Sequence, residues 1–200
     1  MVEEAARGQL SVVRFLKKEF ALELRGNNII QNVHRLDKPV SGALLIAKKR
    51  MVLKMLNEQF ATREVGKSYL AIVSMPPPQA AGELKHWLIK DDEAKRAHIH
   101  DARTQLSVEV KLKYKTLKEV NGKTLIEIEL LTGKYHQIRA QFAHIGSPIV
   151  GDEKYGSKDI YTADALALHA ASLTFKHPID GHTMTVTAPT PDDAWWNLFK

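Results

Sequence analysis

Residues 106–131 read Leu-Ser-Val-Glu-Val-Lys-Leu-Lys-Tyr-Lys-Thr-Leu-Lys-Glu-Val-Asn-Gly-Lys-Thr-Leu-Ile-Glu-Ile-Glu-Leu-Leu. Leu106, Val108, Val110, Leu112 and Tyr114 alternate with Ser107, Glu109, Lys111, Lys113 and Lys115, and Ile126, Ile128 and Leu130 alternate with Glu127 and Glu129. A period of two sends successive side chains to opposite faces, so each run predicts a strand with one buried and one wet face. Between them, Asn121-Gly122 is a dipeptide favoured where both central residues of a tight hairpin turn need positive φ. The stretch predicts an antiparallel hairpin.

Outward from that hairpin, His169–His177 and Thr183–Ala188 read as a second one, joined through Pro178-Ile179-Asp180-Gly181. Ser68–Ser74 reads as a strand and Ala43–Ala47 as a buried strand. Helices are predicted over Ser11–Leu24, Met51–Arg63 (Val52, Met55, Leu56 and Phe60 on one face), Tyr135–Ile145 and Asp192–Phe199. Gly26-Asn27-Asn28 reads as a turn, and Pro76–Gly82 interrupts regular structure but is too short to separate domains. Asp91–Arg103 reads as surface loop, with His98 and His100 on a solvated strand. Hairpins with interspersed helices predict an α+β fold, a mainly antiparallel mixed sheet with flanking helices, in a single domain over residues 1–200.

The chain has 200 residues, no cysteine and a net charge of +6. Absent thiols exclude disulfides and cysteine-ligated metal, and fit a reducing cytoplasm. No stretch approaches the ~20 apolar residues of a membrane span, and Met1–Gly8 is too polar for a secretory signal. The expected setting is soluble and cytoplasmic, with no membrane partner. Residues 1–75 carry 13 Lys/Arg against 7 Asp/Glu, whereas the remainder is balanced. A positive field concentrated in one part of the chain suits a polyanion, although charge alone does not select nucleic acid.

Two segments carry chemistry. Residues 34–42, His-Arg-Leu-Asp-Lys-Pro-Val-Ser-Gly, place Asp37 in a turn-prone segment between Arg35 and Lys38; alone, this reads rather as an aspartate bonding its own backbone. Residues 132–152 run Thr-Gly-Lys-Tyr-His-Gln-Ile-Arg-Ala-Gln-Phe-Ala-His-Ile-Gly-Ser-Pro-Ile-Val-Gly-Asp. Helical spacing puts His136, Arg139 and Ala140 on one face. Arg139 can then point inward, and a guanidinium beside Asp37 would favour its ionised form against desolvation. Tyr69, within Tyr-Leu-Ala-Ile-Val, reads by itself as a core aromatic.

These segments resemble the RluA-type pseudouridine synthases. The resemblance is carried by His34-Arg35-Leu36-Asp37 with Ser41-Gly42, Lys67-Ser68-Tyr69, Thr132-Gly133 with His136-Gln137-Ile138-Arg139, and His144-Ile145-Gly146. Pro148-Ile149-Val150-Gly151-Asp152 with Tyr155-Gly156, and Leu168-His169-Ala170, extend it, so that the motif-bearing core covers about residues 30–190. The resemblance implies isomerisation of uridine in rRNA or tRNA, without cofactor or metal. It makes Asp37 the catalytic carboxylate, either attacking the uridine or abstracting a ribose proton. Tyr69 would stack on the base and take the C5 proton, Arg139 would pair with Asp37, and Arg35 would enter the space left by the flipped nucleotide. His34, Lys38, Lys67, His136 and Gln137 would contact RNA, the two histidines bonding backbone rather than transferring protons. Extruding a base costs a few kcal/mol, which an aromatic platform and a space-filling cation would offset.

Family members carry two strands and an Asn/Asp-Lys-Pro-x-Gly segment ahead of the aspartate motif, and nothing of that kind is read before His34; a single catalytic domain without an N-terminal accessory RNA-binding domain is expected. The expectation is a monomer able to self-associate through an uncovered sheet edge. Competing readings are a catalytically inactive RNA-binding module of the same fold and, more remotely, a metal-dependent nuclease.

Overall fold

A computed structural model describes residues 11–21 and 28–200. The elements are α1 (Val12–Glu19), β1 (Asn28–Asn32), β2 (Ser41–Gly42), β3 (Ile46–Lys49), α2 (Arg50–Ala61), β4 (Gly66–Val73), β5 (Ala81–Asp91), β6 (Arg96–His100), β7 (Val108–Val120), β8 (Lys123–Leu130), α3 (Gln137–His144), β9 (Leu168–Lys176), β10 (Thr183–Thr187) and α4 (Ala194–Asn197), with a 3-10 turn at Glu153–Tyr155. One large sheet runs β10-β9-β4-β8-β7-β5-β6, with β2 lying parallel beside β9 and β1 pairing with β3 in a separate ribbon. The remaining pairings in the large sheet are antiparallel. This is the mixed, mainly antiparallel α+β architecture expected. The helix expected over Ser11–Leu24 begins on a Ser11 cap, whose Oγ accepts the Arg14 N–H; Leu22–Leu24 and Gly26-Asn27 lie outside the described residues.

The alternating runs form β7 and β8, and the Asn121-Gly122 turn has φ of 53° and 72°, as a twist-matched hairpin requires. Val110, Leu112, Ile126 and Ile128 are fully buried. Tyr69 of β4 stands opposite Ile128 and Ala170, and Ile128 stands opposite Tyr114, so these side chains share one face of the sheet. On that face Phe142 of α3 meets Tyr114 edge-to-face at 5.5 Å, a geometry worth about 0.5–1.5 kcal/mol beyond burial. β9 carries one extra residue, Ala171, where Ser68 pairs with Ser172 and Tyr69 with Ala170. Such a bulge re-aims neighbouring side chains.

Three expectations are corrected. Asp91–Arg103 is not a surface loop: β5 and β6 form a hairpin through it, leaving only the tip and Asp101–Ser107 irregular. Both strands lie toward the sheet's rim and are rich in charge, so they lack the alternation that marks a half-buried strand. Ala43–Ala47 is regular only from Ile46. The Leu45 N–H goes to His34 Nε2 and the Ala43 N–H to the Ala170 carbonyl, so side chain and distant backbone replace a continuous ladder. A strand, β1, does precede His34, but in the ribbon with β3.

The Asp37 loop is pinned at both ends. Val40 N–H closes a turn onto the Asp37 carbonyl, and Leu166 N–H reaches the Pro39 carbonyl. His169 donates from Nε2 to the Ala188 carbonyl, so its Nδ1 accepts the Ser41 hydroxyl at 2.8 Å. Gly42 follows with φ of 118°, and a Cβ there would lie 2.3 Å from the Ala170 carbonyl oxygen. Because that neighbour is backbone, it cannot yield. Gly42→Ala is expected to destabilise the fold by about 3 kcal/mol or more in urea denaturation.

Candidate active site

A cleft of about 920 Å³ opens over the Asp37 loop, lined also by Tyr69, residues 132–139 and the end of α2. The Asp37 carboxylate is 29% exposed, and Arg139 Nη1 approaches its Oδ2 at 3.7 Å. The two groups therefore meet on the same side of the sheet. The guanidinium's primary partner is a different acid, however. Arg139 Nε and Nη2 donate to Asp152 at 2.7 and 2.8 Å, with the Arg139 and Asp152 side chains 6% and 1% exposed. That bidentate geometry is the strongest ion-pair arrangement available to arginine. Asp37 receives what remains. Burial pushes its carboxyl above the ordinary carboxylate range, against the opposing pull of Arg139.

Tyr69 is buried beneath the loop, and burial with the nearby Asp37 charge pushes its hydroxyl up to about 12. It is a neutral phenol at physiological pH. His34 stacks on Phe60 with centroids 4.9 Å apart, and its Nε2 accepts the Leu45 N–H. Burial lowers its pKa to about 4, which keeps that nitrogen an acceptor. Lys67 and exposed Arg35 line the cleft with Arg63, Lys90 and Lys134. Burial, then Arg63, lowers the Lys67 pKa.

His136 opens α3 with φ of 52°, which delays the helix to Gln137. Its ring stacks on Tyr135 at 3.8 Å, and Nδ1 meets the Tyr155 hydroxyl at 3.0 Å rather than backbone. Nε2 lies 3.8 Å from Asp37 Oδ2. Burial, with Arg139 and Lys154 nearby, lowers its pKa to about 3, so this approach is between a neutral ring and a carboxylate.

Two residues grouped with these by sequence stand apart. Lys38 turns to Asp164 at 3.4 Å and lines a second, smaller depression of about 300 Å³ behind the loop. Gln137 touches the cleft but is 2% exposed. Its Oε1 accepts the Thr132 hydroxyl and the Lys134 N–H, and its Nε2 donates to the Lys111 carbonyl and Gln141 Oε1. Its hydrogen-bonding capacity is spent inside the protein. Asp152 and Tyr155 received no role from the sequence, although both sit in the Gly151-Asp152…Tyr155-Gly156 pattern that was its signal. The groupings of His and Asp tight enough to take a metal, among the described residues, lie outside the cleft, at His86–Asp101–His144 and His177–Asp180–His182. Among the same residues, no helix is long and apolar enough to cross a membrane.

Residues 6–144 match the family model described as RNA pseudouridylate synthase. The chain belongs to that family. The ribosomal large subunit pseudouridine synthase C of Buchnera aphidicola subsp. Baizongia pistaciae is 35% identical over 172 residues, covering 82% of this chain and 54% of its own length. The enzyme of the same name from Vibrio parahaemolyticus is 33% identical over 166 residues, covering 80% and 51%. The chain thus spans about half the length of the curated relatives it matches. Among solved structures, human RNA pseudouridylate synthase domain containing 4 superposes with a TM-score of 0.76 at 23% identity, over 93% of this chain and 81% of that one. The family's fold is therefore present.

The raised Asp37 pKa fixes a stability prediction. A carboxyl that holds its proton more tightly when folded adds no penalty below the ordinary carboxylate pKa. Stability is lost as pH rises from that value through the raised one, and the loss persists above it. Asp37→Asn is therefore expected to be more stable than wild type at neutral pH, the difference closing as the solution is acidified. Asp152→Ala, which leaves a buried guanidinium without its main partner, should instead lose about 3–5 kcal/mol. Urea titrations at pH 7 and at stepwise lower pH check both.

Proposed function

We propose that this chain converts a uridine in structured RNA to pseudouridine, with the Asp37 carboxylate opening the reaction as nucleophile or as base toward the ribose. The observation that carries the reading is a partly exposed carboxylate 3.7 Å from a buried guanidinium, in a cation-lined cleft, in a chain of this family. During isomerisation the N1–C1′ bond breaks, the base turns and a C5–C1′ bond forms. A proton leaves C5 and one is taken up at N1. Atoms and electrons balance without an outside oxidant or cofactor.

Each side chain has a part suited to its state. Asp37 sits near a cation that stabilises it ionised, while its raised pKa strengthens it as a base. Tyr69 offers a ring face for the extruded base and a hydroxyl that donates. For it to remove the C5 proton, its own proton must first pass to a neighbouring base, and Asp37 is close enough to be felt electrostatically. Arg35, Lys67, Arg63, Lys90 and Lys134 supply the charge that draws the phosphate backbone into the cleft, and Arg35, exposed at its mouth, fills the gap left by the flipped nucleotide. We assign His34 and Gln137 to holding the loop and helix around the site. The relatives' names favour rRNA of the large ribosomal subunit over tRNA as the target, and the reading we propose is of a cytoplasmic monomer acting on it.

Release of tritium from RNA carrying 5-tritiated uridine tests this reading, because only the isomerase exchanges that hydrogen. Wild type is expected to release it, and Asp37→Asn to lose at least ~10³-fold in rate with RNA affinity largely kept. Binding of RNA by wild type with no release from any rRNA or tRNA substrate would make the chain an RNA-binding module instead.

A further inference from the structure

The proposed reaction gives no task to His136, which lines the cleft, or to buried Tyr155, whose hydroxyl meets it from behind. Tyr155 is 5% exposed, and the guanidinium carbons of Arg96 and Arg139 lie 4.9 and 5.1 Å from its ring centroid. Its hydroxyl oxygen accepts the Ala97 N–H of β6 at 2.7 Å and meets His136 Nδ1 at 3.0 Å. The phenol proton must go somewhere. Burial pushes its pKa up to about 12, so the proton stays on, and His136 Nδ1 is the acceptor within reach. The imidazole then accepts at Nδ1, and its single hydrogen resides on Nε2, the nitrogen facing Asp37 Oδ2 at 3.8 Å.

We propose that Tyr155 and His136 are positioning residues for Asp37: the tyrosine hydroxyl, held by the Ala97 amide, fixes the imidazole as its Nε2–H form and aims that N–H at the catalytic carboxylate. The inference rests on the isomerase reading of the cleft and adds to it the device that steadies its acid. A neutral donor suits the location. Arg139 has spent its forked edge on Asp152 and reaches Asp37 with Nη1 alone, at 3.7 Å. The groups facing His136 are Arg139 on its own helix, Lys154 and Tyr155 from the 3-10 turn, Asp37 from its loop and the stacked Tyr135. The two cations among them keep a second charge off the ring.

The test reads the pH dependence of kcat, whose acid limb reports Asp37 in the bound complex. A donor to a carboxylate favours the ionised form, so removing it raises that group's pKa. His136→Ala is expected to move the acid limb up by about half a pH unit and lower kcat about tenfold, the effect of one lost hydrogen bond, with KM little changed. Tyr155→Phe should move the limb in the same direction. His136→Gln, whose amide N–H reaches the same place, should return it most of the way. A uniform loss at every pH with an unmoved limb would reduce both residues to packing and overturn the proposal. Two measurements need no turnover and separate failure here from failure of the isomerase reading. Ring 15N shifts of His136 should show hydrogen on Nε2 in wild type and a mixture of tautomers in Tyr155→Phe. The 13C titration of the Asp37 carboxyl should move upward in His136→Ala. Hydrogen on Nδ1 in wild type, or an unmoved titration, would sink the proposal even in an active enzyme.

Discussion

The forked contact between Arg139 and Asp152 decides what kind of acid Asp37 can be. Had the guanidinium met Asp37 with both nitrogens, two charge-assisted hydrogen bonds would hold the carboxylate in place and blunt it as nucleophile or base. Asp152 takes that edge instead, from a site 1% exposed, and leaves Nη1 at 3.7 Å from Asp37. Asp37 thus feels a fixed positive charge while its oxygens stay accessible and its pKa rises. Buried ion pairs contribute little net stability because desolvation offsets much of their attraction. The value of this one lies in orientation.

Holding Arg139 in place is the business of α3, a helix whose buried residues include Gln137, Arg139 and Gln141 as well as Ile138, Ala140 and Phe142. A helix with so polar a buried side is tolerated only when every group is matched. The matching runs along one line. The Lys134 N–H fixes the orientation of the Gln137 amide, which donates to Gln141 Oε1, and Gln141 Nε2 donates to the Leu84 carbonyl and His86 Nδ1. His86 is thereby left with its hydrogen on Nε2, facing Asp101. The same helix end is tied to β5 and β6, the hairpin that also supplies the Ala97 amide beneath Tyr155.

The sequence conveyed the middle of the sheet well, because β7 and β8 have one dry face and one wet face and their residues alternate accordingly. It conveyed the rim poorly. In β5 the exposed positions include Ala81, Glu83 and Lys85, but Gly82, His86 and Asp91 interrupt the apolar set, so the strand is specified by its neighbours rather than by its own pattern. The encounter of Asp37 with Arg139 was legible from two motifs 102 positions apart. The third member, Asp152, was not, since it follows an irregular segment with no period to reveal which way it faces. Gln137 misled for the opposite reason. A polar residue within a functional motif looks like a ligand contact, whereas this one is consumed by internal carbonyls and amides.

Unfavourable local choices collect at the cleft. Asp37 is partly desolvated, His34 and His136 are held neutral by burial, and His136 opens its helix at a φ of 52°, a region L-residues seldom occupy. The backbone beneath the Asp37 loop comes so close to β9 that only glycine fits at position 42. Each is tolerable because the elements on which it depends are fixed by apolar packing elsewhere: β4 and β8 through Ile72, Ile126 and Ile128, and α3 through Phe142, all fully buried. Relaxing any one would improve local energetics and lose the alignment it maintains. Turning His136 out of the left-handed region would shift the start of α3, and with it the angle at which Arg139 meets its two carboxylates. The sheet can therefore be read as the rigid body against which a partly desolvated acid, on a pinned loop, is held ready.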